Sequence, residues 1–115
     1  MAGVALKTIK LGGLAGVIRA AVVSDSLGLS LNLASKTGES SIGAAALVHL
    51  GYALPNVDWG INITNQSLVV DFAKRPIRQK DGGFECPAGP GLGIKVDEDV
   101  IANYRLPGCD RKSRK

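Results

Sequence analysis

Aromatic residues make up only 4% of this chain, so its core must be assembled from aliphatic side chains. Histidine occurs once and cysteine twice, at Cys86 and Cys109, with neither metal-ligand nor redox spacing between them. Two cysteines do not build the disulfide framework of a small secreted domain, and a reduced, cytoplasmic setting is expected. No apolar run reaches the roughly 18 residues of a membrane span, and the N-terminus lacks the charged start and cleavage site of a signal peptide. No membrane partner is therefore expected.

Charge of one sign is also missing from most of the chain. The formal net charge is +4, but Arg105, Arg111, Lys112, Arg114 and Lys115 crowd the end, against Asp110 alone. Without that end the balance is near zero. A basic terminus carrying Pro107 and Gly108 reads as a disordered tail over residues 105–115. With no aromatic interleaved among its charges, it does not support a nucleic-acid partner.

What is present is a hydrophobic content of 45% in 115 residues with 15 glycines, enough for one domain with a small core and tight turns. The chain opens on Val4-Ala5-Leu6-Lys7-Thr8-Ile9-Lys10-Leu11-Gly12-Gly13, which reads as a strand apolar on both faces that leads through a glycine pair into a helix. Lys7 is costly to bury in such a strand unless it reaches a polar cavity at the strand's end. On spacing alone the simpler reading is an edge strand with Lys7 in water. Lys10, three residues on, falls on the opposite face by period-2 alternation and is assigned a structural role.

The spacing then predicts a helix over 14–27, with Leu14, Val17, Ile18, Ala21 and Val22 on its buried stripe and Gly28 as its left-handed C-terminal residue. A strand follows over 29–33. Ser35 or Thr37 would cap a helix over 39–54 with Glu39 in its first turn, and Pro55 would stop it. His49, inside that helix, has no second ligand at metal spacing and reads as a packed or rim histidine. A third strand is expected over 58–64 and a short helix over 66–73. Next come a hairpin over 77–86 about Asp81-Gly82 and a turn-rich loop over 87–93 that lacks the Gly-Lys-Ser/Thr ending of a phosphate loop. Asp97 caps a last helix to about Tyr104. Alternating strands and helices with short connections are the grammar of a parallel α/β domain.

Four segments in order carry a more specific signal: Lys7-Thr8-Ile9-Lys10-Leu11-Gly12-Gly13, Glu39-Ser40-Ser41-Ile42-Gly43, Asp58-Trp59-Gly60, and Gly89-Pro90-Gly91-Leu92-Gly93-Ile94-Lys95-Val96-Asp97. Together they resemble the C-terminal third of the mandelate racemase and muconate lactonizing enzyme family, within the enolase superfamily. The resemblance covers nearly all of residues 4–104. It implies a fold class of α/β type, a partial (β/α) barrel comprising about the last three βα units over residues 1–76. A hairpin and return segment toward a capping domain would occupy residues 77–104. A complete barrel takes about 250 residues, so the chain reads as a C-terminal fragment.

The family's chemistry is abstraction of the proton α to a carboxylate, with Mg²⁺ holding the enolate and a lysine as base. The resemblance makes Lys7 the catalytic lysine. It makes Glu39, Asn62 and Thr64, with Ser35 and Thr37, candidates near the barrel mouth; for Glu39 a cap or turn role is the better reading. It places the Mg²⁺ ligands on earlier strands, so no metal ligand is assigned in this chain. Asp58, Asp71, Glu85, Asp97, Glu98 and Asp99 do not sit at the ends of successive strands, and Asp71 is read as lying on a helix face. The eighth-strand glutamate of cycloisomerases is replaced by Asn62, which favours a racemase, epimerase or dehydratase acting on an amino acid or proline derivative. The implied partners are a small carboxylate substrate, the missing N-terminal part of the enzyme and, through open sheet edges, further copies of the chain. The alternative is a stand-alone, non-catalytic binding or self-assembling module.

Overall fold

Local sequence explains where each element starts and stops in the computed structural model, which describes residues 2–108. Strand β1 (Gly3–Leu6) leads directly into the single-turn helix α1 (Thr8–Leu11) and then α2 (Leu14–Ser26). Gly28 ends α2 in the left-handed region at φ 68°, where a side chain would cost energy. Strand β2 (Ser30–Ala34) is followed by α3 (Ser41–Ala53), the two-residue strand β3 (Ile61–Asn62), a 3₁₀ turn over Asn65–Ser67 and the terminal α4 (Glu98–Asn103). Asp97 caps α4 as expected, accepting the Val100 N–H at 3.2 Å.

The three strands form one parallel sheet in the order β1-β2-β3. Its connections are the βα units expected of a partial barrel. One face packs on α2 and α3 through Leu6, Val17, Ala21, Leu31, Leu33, Ala44, Leu47, Leu50 and Ile63. Each fully buried leucine in such a cluster contributes roughly 1.5–3 kcal/mol. The α2 stripe is narrower than periodicity predicts. Val17 and Ala21 are buried, but Leu14, Ile18 and Val22 stay exposed, because among the described residues no element packs on that flank.

Several expectations are corrected. The segment after β1 is helical from Thr8, so period-2 alternation stops there; Lys10 lies exposed in the last turn of α1 rather than opposite Lys7 on a strand. The cap of α3 is Ser40, whose hydroxyl accepts the Ile42 N–H at 3.3 Å, rather than Ser35 or Thr37, and Glu39 precedes the helix. The third strand shrinks to Ile61–Asn62 because Gly60, at φ 75°, breaks the extended run. The helix expected over 66–73 is replaced by the short 3₁₀ turn and then by extended chain. There Ala73 bridges antiparallel to Val96, with Lys74 N–H on the Lys95 carbonyl at 2.9 Å and Asp97 N–H on the Phe72 carbonyl at 2.7 Å. The return segment outcompetes local helix for these backbone groups. The hairpin reduces to one bridge, Lys80 to Gly83, around Asp81 and Gly82 at φ 51° and 78°. Residues 109–115 of the basic tail, Cys109 included, lie outside the described residues.

Asp71 is therefore not on a helix face but at the start of α3. Its carboxylate accepts the Ser41 N–H at 3.0 Å and the Ser41 hydroxyl at 2.6 Å. It also takes the Asn65 amide at 3.2 Å and the Ala73 N–H at 3.3 Å. The Ser41 hydroxyl in turn accepts the Ile77 N–H at 2.8 Å. Burial alone raises the Asp71 pKa, but the hydrogen bonds from Ser41, Asn65 and Ala73 outweigh it and hold the group below the ordinary carboxylate value.

Replacing Asp71 by alanine should cost about 2–3 kcal/mol in urea unfolding, since it strips charged hydrogen bonds and leaves the Ser41 N–H and O–H without their acceptor. A depressed carboxyl pKa stabilises the fold above its unfolded value of about 3.9, and that contribution fades as pH falls through the folded value. The stability gap between the parent chain and Asp71→Asn should accordingly be full near pH 7 and narrow as pH falls below the unfolded value of about 3.9 and through the folded one.

Candidate functional site at the strand ends

Parallel pairing lines up a row of side chains across the sheet. Ala5 stands opposite Asn32, and Ala34 opposite Asn62, on the face turned away from the helices. Lys7 continues this pattern, because its own backbone remains extended at φ −128°, ψ 128°. Extending the β1–β2 register by one residue sets Lys7 beside Ala34, and Ala34 beside Asn62. With strands about 4.8 Å apart, the Cα atoms of Lys7 and Asn62 are separated by roughly 10 Å. The small side chain of Ala34 leaves the space between them open. The row lies at the C-terminal ends of the strands, where parallel α/β sheets gather reactive groups.

Asn62 is oriented by a neighbour that periodicity did not single out. The Asn32 amide nitrogen donates to the Trp59 carbonyl at 3.0 Å, the Gly60 carbonyl at 2.9 Å and Asn62 Oδ1 at 2.7 Å. Because this nitrogen can only donate, one lone pair of the Asn62 oxygen is engaged, and the Asn62 NH₂ group remains available as a donor. Thr64 and Glu39 meet elsewhere, on the turn after β2. The Thr64 hydroxyl donates to the Lys36 carbonyl at 2.7 Å, and Glu39 Oε2 accepts the Lys36 N–H at 3.1 Å. Glu39 also lies against Gly43, where an added Cβ would collide with its carboxylate. Buried Ser35 gives its hydroxyl to the Asn62 carbonyl at 3.2 Å, while Thr37 is exposed. Lys7 and Asn62 thus share one row, and Glu39 and Thr64 share one turn.

At the opposite end of the strands the ring of Trp59 covers Gly3. A Cβ on Gly3 would come within 2.7 Å of the indole and 2.5 Å of the Ser30 carbonyl, so only glycine fits there. His49, in the middle of α3, is half-buried; its Nε2 meets the Leu92 carbonyl at 3.0 Å and its Nδ1 the Cys86 thiol at 3.4 Å, a pairing that sequence spacing did not show. Among the described residues no group of three or more His, Cys, Asp or Glu side chains converges on a point that could hold a metal ion. The donor set that Mg²⁺ requires is not supplied by these residues.

Residues 1–100 match the family model described as Enolase C-terminal domain-like. The chain belongs to that family. Muconate cycloisomerase 1 of Rhodococcus opacus is 32% identical over 102 residues, which are 88% of this chain and 27% of that protein. Among solved structures, the muconate lactonizing enzyme from Klebsiella pneumoniae superposes with a TM-score of 0.82 at 31% identity, over 90% of this chain and 29% of that one. The muconate lactonizing enzyme from Pseudomonas putida gives 0.80 at 31% identity, over 87% and 28%. This enolase C-terminal domain-like chain spans 27% of the length of the Rhodococcus relative, and its three parallel strands are part of a (β/α) barrel. No helix among its described residues is long and apolar enough to cross a membrane.

The site residue that sequence reading passed over is Asn32, and Trp59 entered it only as part of the Asp58-Trp59-Gly60 segment. Asn32 interrupts Leu31 and Leu33, a lone amide on the polar side of an otherwise apolar strand, and that alternation is the signal that could have found it. Nothing local signals the packing of Trp59 on Gly3, which depends on a contact distant along the chain. Replacing Asn32 by alanine should cost about 1–2 kcal/mol in urea unfolding, because two carbonyls lose their donor. Thr64→Val should cost about 1 kcal/mol through the Lys36 carbonyl alone.

Proposed function

We propose that this chain forms part of the active-site wall of an isomerase or lyase in which Lys7 exchanges the proton α to a carboxylate of a small substrate. The reading rests on one observation, the row of Lys7, Ala34 and Asn62 at the C-terminal ends of the parallel strands. A substrate lying over Ala34 would present its α-carbon to the Lys7 amine. The Asn62 NH₂, held with its oxygen on Asn32, would donate to a carboxylate or carbonyl oxygen of that substrate. Lys7 accepts the proton as free amine and returns it as ammonium. Thr64 and Glu39 shape the rim of the site through the Lys36 turn, Thr64 nearer the row and Glu39 as a turn residue.

Mg²⁺ belongs to the family's chemistry, its ligands are expected on earlier strands of the barrel, none is assigned among the described residues, and Lys7 needs that further part of the barrel to act. That part is the first expected partner; self-association of the chain through its open sheet edges is the second. Asn62 in place of an acid favours racemisation, epimerisation or dehydration of an amino acid derivative. Cycloisomerisation is the second reading, favoured by the names of the relatives from Rhodococcus opacus and Pseudomonas putida.

The test joins residues 4–104 to the preceding barrel segment of the Pseudomonas putida muconate lactonizing enzyme and follows deuterium exchange at the α-carbon of amino acid derivatives. The chimera should exchange, its Lys7→Ala variant should lose at least about 10³-fold, and Lys10→Ala, at an exposed position of α1, should exchange like the parent. Exchange by residues 1–115 alone would overturn the need for a further part of the barrel, and undiminished exchange by Lys7→Ala would remove Lys7 from the reaction. Turnover of muconate without α-exchange would favour the second reading.

A further inference from the structure

Remote from the strand-end row, the return segment folds back toward α3 and curls around an open, solvent-facing groove of about 870 Å³. Lys74, Arg75, Arg78, Lys80 and Lys95 line it together with Cys86, and Glu85 is the acid among its lining residues. Glu85 meets Lys80 at 3.8 Å with both side chains largely in water, so it offsets little of the positive potential. Cys86 is exposed, and its Sγ lies 3.4 Å from His49 Nδ1. His49 Nε2 lies 3.0 Å from the Leu92 carbonyl. A carbonyl only accepts, so Nε2 carries the ring proton and Nδ1 turns its lone pair to the thiol. A nucleophile, a base with a fixed tautomer and a cationic groove thus coincide.

We propose that Cys86 is a reactive thiol whose groove selects anionic disulfides, of which oxidised glutathione is the probe. The S–H proton of Cys86 passes to His49 Nδ1, and the sulfur bonds to one sulfur of the disulfide. The original S–S bond breaks, the departing thiolate takes up the proton, and a mixed disulfide remains on Cys86. One disulfide replaces another, so no further oxidant enters. The cations act on the charge of the reagent, and His49 acts on the thiol; the two contributions are separable.

The experiment uses the full chain carrying Cys109→Ser, so that Cys86 is its single thiol. Rates of mixed-disulfide formation are read by intact mass with oxidised glutathione, which is anionic, and with cystamine, which is cationic. The ratio of the two rates should be at least about tenfold higher in the folded chain than in the same chain unfolded in urea, and should fall with added salt. Arg78→Ala with Lys95→Ala, both at exposed positions, should lower that ratio at least about threefold without slowing cystamine. His49→Gln should slow both reagents at least about threefold and leave the ratio unchanged. An equal ratio in folded and unfolded chain, or one indifferent to Arg78 and Lys95, would overturn the anion-selective groove. Undiminished rates in His49→Gln would overturn the base. If circular dichroism shows that His49→Gln disturbs the helix, the Arg78 and Lys95 variants still decide.

Discussion

The fold depends most on a single carboxylate. Asp71 satisfies the Ser41 N–H at the start of α3 and engages its hydroxyl. Asn65 and Ile77 are drawn onto the same cluster. A helix start leaves several N–H groups without partners, and burying them unpaired would cost about 1–3 kcal/mol each. Here the missing acceptor arrives from 30 residues along the chain. The bond that completes the helix also brings the chain back from the sheet. Farther along α3, His49 meets the Leu92 carbonyl and the Tyr52 hydroxyl meets that of Phe84. The irregular return segment is thereby fastened to one flank of one helix, which explains how a stretch with almost no regular structure keeps a defined path.

Much of the architecture was legible because it rests on short-range rules. The strand, helix, strand, helix, strand order, the left-handed Gly28 and the Asp97 cap each follow from residues within a turn of one another. The failures share a cause as well. A helix over 66–73 is locally plausible, yet the backbone of Phe72 and Lys74 is claimed by Asp97 and Lys95, more than twenty positions away. Asp71 looked like a surface acid because its partner Ser41 is equally distant. The α2 stripe was read as fully buried because periodicity identifies an apolar face without saying what covers it.

The candidate site shows the same division. Lys7 stood out as a cation in an apolar strand, and resemblance gave it a role that spacing could not. Its relation to Asn62 emerges only from the parallel register, since strand pairing decides which residues share a row. Asn32 went unnoticed although its amide engages the Asn62 oxygen. The contrast between Leu31 and Leu33, fully buried, and the polar residue between them was the available clue. Glu39, by comparison, is tied to the Lys36 turn in the manner expected of a turn residue.

The packing of Trp59 on Gly3 has a consequence for how folding can be watched. It is the sole tryptophan of the chain, and its indole rests on the first residue of β1 although it precedes β3. β1 meets β2 at Gly3 and Ser30, and β2 meets β3 at Leu33 and Ile61, so the ring finds its native neighbours only after both long-range pairings have closed. Closures of that separation are slow compared with helix formation. Indole emission is thus a built-in optical clock for the completion of the sheet, silent to the helices that form before it.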